Sequence, residues 1–236
     1  MWCLKRNNIP NQSIHKIMKK TILATLMLVS IFTACKKDET TENIPKADTL
    51  VEAPVTKDTN AAVKDELTQL VNKTLDWTAL PDNFTVLPVV EKDSVYTGLD
   101  LVRLAENLKV LKHTGYFAQE FIDNYDNIIR TLDRKTKSNE FGIWQANDLP
   151  PFSFANDVNP WCNCQDDPGE LNAPLKVGVI SLDGDSGKFF YYYGNKEADA
   201  NNYSYKFNAV KENGVWKISY MEGFDYKTSV RTDGEL

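Results

Sequence analysis

Residues 175–194 read LKVGVISLDGDSGKFFYYYG, and residues 203–222 read YSYKFNAVKENGVWKISYME. These two stretches decide the fold. The first turns over at Asp183-Gly184-Asp185-Ser186-Gly187, so 175–182 and 188–194 are expected to be paired strands. In the second, Asn213-Gly214 is a strong hairpin signal, because both central positions of the favoured two-residue turn need positive φ. Trp216, Ile218 and Tyr220 alternate, which predicts one shared face. An interval rich in Asn and Asp joins the two hairpins. Together they predict an antiparallel meander of about four strands.

Upstream, the apolar period changes from two to nearly four. Val63, Leu67, Leu70, Val71 and Leu75 share a helical face, with Thr59 or Asn60 as the expected cap and Pro81 ending the region. Residues 84–90 (FTVLPVV) are expected to form a short strand that Pro88 confines to an edge or a loop. Asp100 is the expected N-cap of a second helix carrying Leu101, Leu104, Leu108 and Leu111, with Gly115 as its stop signal. Phe117, Phe121, Tyr125, Ile128 and Leu132 mark a third helix. Its basic tail, Arg134, Lys135 and Lys137, suits the negative end of a helix dipole. Helices followed by an antiparallel meander make an α+β fold, with N-terminal helices packed on the C-terminal sheet. The arrangement over about 60–225, and the final hairpin Lys211-Glu212-Asn213-Gly214-Val215-Trp216-Lys217-Ile218, resemble the nuclear transport factor two-like or cystatin-like α+β cone proteins, families of unknown function included. That resemblance implies a curved sheet wrapped around helices and a pocket at the mouth of the cone.

The N-terminal end has a different character. Met18-Lys19-Lys20 precedes a 14-residue apolar run, 21–34, that stops at Cys35. A spanning helix needs about 20 apolar residues, so the layout is that of a secretory signal. Phe32-Thr33-Ala34-Cys35 resembles the lipobox of bacterial lipoproteins, and this implies that Cys35 is lipidated and becomes the mature N-terminus. Phe32 stands where Leu is usual. Lys36-Lys37-Asp38-Glu39 resembles the export signal found after the lipidated cysteine in surface lipoproteins of the Bacteroidota. The resemblance implies a protein anchored in the outer membrane and exposed on the cell surface. Residues 1–17 are expected to be an over-extended start and 18–35 the signal peptide. Residues 36–60, without an aromatic residue, are expected to be a disordered tether. One α+β domain over 61–230 and a tail over 231–236 complete the expected organisation.

Composition sets the limits on function. The chain has 236 residues, 42% of them hydrophobic, and a formal charge of −6. With the five basic residues before position 35 set aside, 22 basic face 33 acidic residues, a charge of −11. These values exclude a multispan membrane protein and argue against a nucleic-acid partner. His113 is the one histidine after residue 15. Near the end of a helix it serves the dipole or the core more readily than catalysis, and no G-x-S-x-G, H-E-x-x-H, P-loop or G-x-G-x-x-G pattern accompanies it.

Cys162 and Cys164 can form a local disulfide, stay as thiols, serve redox chemistry or supply two metal ligands. Two ligands fall short of the four a structural zinc needs. Asp183 to Gly187 resembles the start of a calcium loop but lacks the later Glu, and Asp166-Asp167 near Glu170 is a second acidic turn. No cofactor or metal is expected.

Residues 139–173 hold four prolines, two tryptophans, three phenylalanines and both of these cysteines. A loop this long is often functional. Trp144 and Trp161 are read first as pinning this loop down, and the aromatics of 189–193 as packing on both faces of their strand; as ligand contacts, Trp144, Trp161, Tyr191 and Tyr193 are the candidates. The expected protein is lipid-anchored in the cell envelope, with a non-catalytic domain that binds a small molecule, a glycan or a protein. The alternatives are an inhibitor or immunity-type protein that caps a partner, and a small envelope hydrolase or isomerase.

Overall fold

Helix α1 runs over Lys57–Thr78 and buries Val63, Leu67, Leu70, Val71 and Thr74, the spacing of one helical stripe. This is a computed structural model; it describes residues 57–80, 84–165, 174–194 and 204–232, all within the unit 52–236. The N-terminal signal, residues 36–56 of the expected tether and the acidic turn at 166–170 lie outside the described residues; residues 57–60, expected in the tether, are the first turn of α1. The helix starts before the expected cap at Thr59 or Asn60. No breaker stands between Pro54 and the Ala61-Ala62 pair, so helical conformation extends upstream. Asn60 is thus inside α1, where its Oδ1 is buried and has no partner among the described residues.

Strand β1 (Val89–Lys92) and strand β2 (Val95–Leu99) form a small antiparallel hairpin. Its turn is Asp93-Ser94, with φ of 52° and 61°. The expected strand at 84–90 begins later than predicted because Pro88 has no N–H to give a ladder. Its carbonyl instead accepts the N–H of Asp100 at 2.8 Å. Helix α2 (Leu101–Thr114) starts at Asp100, whose Oδ1 accepts the N–H of Val102 at 2.9 Å and of Arg103 at 3.0 Å. It stops at Gly115, which has a φ of 72°. Helix α3 (Gln119–Lys137) buries Phe121, Ile122, Tyr125, Ile128, Ile129 and Leu132. It begins after Phe117 because residues 116–118 lie along a sheet strand: Ala118 N–H donates to Ile218 O and Ile218 N–H to Tyr116 O, each at 2.8 Å.

The sheet is a four-stranded antiparallel meander in the order β3 (Leu175–Asp183), β4 (Ser186–Tyr193), β5 (Tyr205–Glu212), β6 (Val215–Met221). Gly184 (φ 53°) turns the first hairpin, and Asn213 and Gly214 (φ 53° and 80°) turn the last. Leu175, Val177, Phe189, Tyr191, Tyr205, Phe207, Ala209, Trp216, Ile218 and Met221 are buried on the sheet's inner side with the helices. Helix α1 packs on β3 and β6, and α3 on β6 and β2. Each fully buried aliphatic or aromatic side chain contributes roughly 1.5–3 kcal/mol. The α+β architecture read from the sequence is the observed one.

One alternation breaks. Asn208 pairs with Tyr220 but Ala209 pairs with Ile218, so Ser219 is an extra residue in β6. Such a bulge reverses the facing of the residues beyond it. Met221, not Tyr220, takes the third inward place and is 1% exposed.

Residues 139–165 do not form an open loop. Residue by residue, this segment is stitched to the rest of the fold. Tyr96 N–H donates to Trp144 O and Ala146 N–H to Ser94 O, both at 2.9 Å. Ser153 N–H donates to Arg231 O at 3.1 Å and Phe154 N–H to Ser229 O at 3.2 Å. The hydroxyls of Tyr205 and Tyr191 donate to Pro160 O and Trp161 O, each at 2.6 Å. Burial pushes both phenol groups well above their ordinary range, so they stay protonated donors.

Candidate functional site

The expected ligand aromatics are mostly core. Trp161 is 4% exposed and packs against Trp77, Phe84, Phe117, Phe121 and Phe224, with ring centroids 4.5–6.0 Å away. Trp144 is also 4% exposed, lies against Tyr96 and Phe152, and donates its indole N–H to Asp148 O at 3.2 Å. Tyr191 is 2% exposed and stacks on Tyr205. None of these three offers a face to a ligand, which corrects the expectation for them; Tyr193 is half-buried. The reason is the same in each case. Large rings in a segment with little secondary structure of its own are what anchors that segment.

The other candidates are also placed. Cys162 and Cys164 are joined as a disulfide with Cα atoms 5.2 Å apart, on the half-exposed rim beyond Trp161. Asp183 and Ser186 pair directly across a tight hairpin, leaving Gly184-Asp185 as the two turn residues. Among the described residues no group of three or more His, Cys, Asp or Glu side chains is placed to hold a metal. Cys35 and Lys36, Lys37, Asp38 and Glu39 lie outside the described residues. No described helix is long and apolar enough to cross a membrane.

His113 is exposed in the last turn of α2, and it lines a concavity that the sequence did not disclose. This lobe has a volume of about 460 Å³ and is lined by Trp77, Lys109, Val110, His113, Thr114 and Tyr116. A second lobe of about 380 Å³ adjoins it and shares Thr114 and Tyr116. Its other walls are Leu70 and Lys73 of α1, Gly115, and Val215 and Trp216 of β6. Both volumes fall in the range of small-ligand sites.

The groove is built from three converging features. Along α1, positions 66, 69, 70, 73 and 77 share one side, since they are spaced by three or four residues. Gly115 ends α2 and lets the chain turn back towards β6. The hydroxyl of Thr114 accepts the N–H of Tyr116 at 3.1 Å, and Tyr116 O holds the β6 edge at Ile218. Tyr116 is thereby fixed between the lobes.

The polar groups around this groove are largely uncommitted. The side chains of Lys73, Lys109, His113 and Tyr116 make no hydrogen bond or ion pair with a described residue. Glu66, at the far wall, is neutralised by Lys211 at 3.4 Å. Lys211 also lies 5.5 Å over the ring of Trp216. The Trp216 indole N–H is buried without a partner among the described residues. The groove therefore carries cationic and aromatic groups on a chain whose overall charge is negative. Sequence reasoning missed Trp77, Tyr116, Lys109 and Lys73. The only signal was the Thr114-Gly115-Tyr116 break between two helical patterns.

No protein-family profile, no curated protein and no solved structure matches this chain.

Proposed function

We propose that this chain is a lipid-anchored protein of the bacterial cell envelope, held in the outer membrane by Cys35 and displayed on the cell surface. Its α+β domain binds a ligand or partner without catalysis. The observation that carries the binding half of this reading is the two-lobed groove around Tyr116, lined by Lys73, Lys109, His113 and Tyr116, whose side chains have no hydrogen-bond partner among the described residues. The anchoring half rests on the basic-apolar-cysteine order of residues 18–35 and on the acid-and-lysine run after it. Each buried methylene of an acyl chain contributes about 0.8 kcal/mol to membrane binding, so more than one chain is needed for a stable anchor. The tether, shortened to 36–56 by the start of α1, would let the domain stand off the bilayer, since some 20 residues extend to about 70 Å at most.

Cys35→Ser tests the anchor. The substituted protein is expected in the soluble fraction, and undiminished membrane retention would overturn the lipid-anchor reading. Protease added to intact cells should digest the domain; full protection would overturn surface display. Capture of an envelope component by the full-length chain, lost on altering Lys73 and Lys109, supports the groove as the binding site.

A further inference from the structure

The groove's chemistry narrows its ligand. We propose that it binds an anionic oligosaccharide, one whose sugar rings carry carboxylate groups. This rests on the reading of the groove as the binding site and adds the class of ligand.

Four observations carry it. First, Trp77 and Tyr116 are both half-buried, each with part of its ring held against the fold and part facing the concavity. A sugar ring has an apolar C–H face that covers an aromatic ring while its hydroxyls stay hydrated, and both lobes are open to solvent. An uncharged drug-like molecule would need a more enclosed site. Second, Lys73, Lys109 and His113 surround these rings without a carboxylate partner among the described residues, whereas Glu66, the acid on the wall, is held by Lys211. On a chain with a charge of −6, a concavity rimmed by two lysines that have no partner among the described residues concentrates anions.

Third, the two lobes adjoin at Tyr116, so a ligand of more than one ring can occupy both. Fourth, an extended peptide would need a free main-chain ladder. At Ile218 the β6 edge beside the groove is already paired with residues 116–118. Hydrogen-bond donors remain for a polyhydroxylated ligand: the Tyr116 hydroxyl and the two lysine ammonium groups.

The test uses the full-length chain in mild detergent and three probes of matched length: an oligogalacturonate, the corresponding neutral galactose oligomer, and an acidic peptide. The oligogalacturonate is expected to bind at least about tenfold more tightly than the neutral oligomer, and less tightly as salt rises. The double variant Lys73→Glu/Lys109→Glu should lose about tenfold in that affinity, the sum of two exposed ion pairs, with unchanged thermal unfolding. Tyr116→Ala should weaken both sugars. Failure of the oligogalacturonate to bind, indifference to charge reversal, or preference for the peptide overturns the ligand class. If an envelope component other than an anionic glycan is captured and then lost in the double variant, the groove reading stands and this inference fails.

Discussion

Asp133 is a carboxylate on the buried side of α3, 6% exposed. Its Oδ1 accepts the N–H of Leu99 at 2.8 Å, and its Oδ2 pairs with Lys137 at 2.9 Å. It thereby ties the end of β2 to α3. Gly98 lies so close that a Cβ there would meet Asp133 Oδ1 at 2.7 Å. Asp133→Ala should cost about 1–3 kcal/mol, since it strands a buried N–H, and chemical denaturation reads that loss directly. Gly98→Ala should also destabilise, because the added carbon displaces the same carboxylate. Neither role could be read from the sequence. Asp133 stands in LDRKTK as one polar residue before a basic tail, and its partner is 34 positions away. By contrast, Asp100 and Gly115 were legible, because a cap acts on the residues next to it.

The element after β6 shows how local chemistry sets a boundary. A 3-10 turn (Glu222–Phe224) leads into the short helix α4 (Tyr226–Ser229), capped by Asp225. The Asp225 Oδ1 accepts the N–H of Thr228 at 2.9 Å. Burial alone would raise the Asp225 carboxyl, but hydrogen bonds from Thr228 and Tyr220, with Lys227 nearby, outweigh it and hold the group below its ordinary value. Burial, with Asp225 opposite, pushes the Tyr220 phenol up to about 12. A carboxyl depressed in the folded state stabilises the fold above its unfolded pKa of about 4. That contribution is lost as pH falls through the lower folded value. Asp225→Ala should therefore cost about 1 kcal/mol at neutral pH, and melting curves should show the gap narrowing in acid. Glu222 shifts upward through burial, but it is present in both proteins and drops out of the difference. The hairpin before this element was legible from Asn213-Gly214. The bulge at Ser219 was not, because an extra residue in a strand leaves no mark on composition and becomes visible only as a slip in pairing.

Across the whole molecule, the order of helices and strands was legible because each element carries its own period, while the path of 139–165 was not. Its rings are buried by partners from α1, α3, the sheet and the C-terminal residues, so nothing local distinguishes an anchoring Trp161 from a ligand-stacking one. The two tyrosine hydroxyls that hold Pro160 and Trp161 offer a test at this scale. Tyr191→Phe with Tyr205→Phe leaves two buried carbonyls without those donors, and each should cost about 1–3 kcal/mol. Limited proteolysis should then cut within 139–165 under conditions that leave the parent protein intact. The stitching of this segment also has a consequence for the order in which the fold can close. Its middle pairs with Ser229 and Arg231, and Phe152 bridges to Thr232. The intervening loop holds the whole β3–β6 sheet. Closing so long a loop costs chain entropy before the contacts repay it, so the strap across 152–154 is a late seam of the fold and not its nucleus.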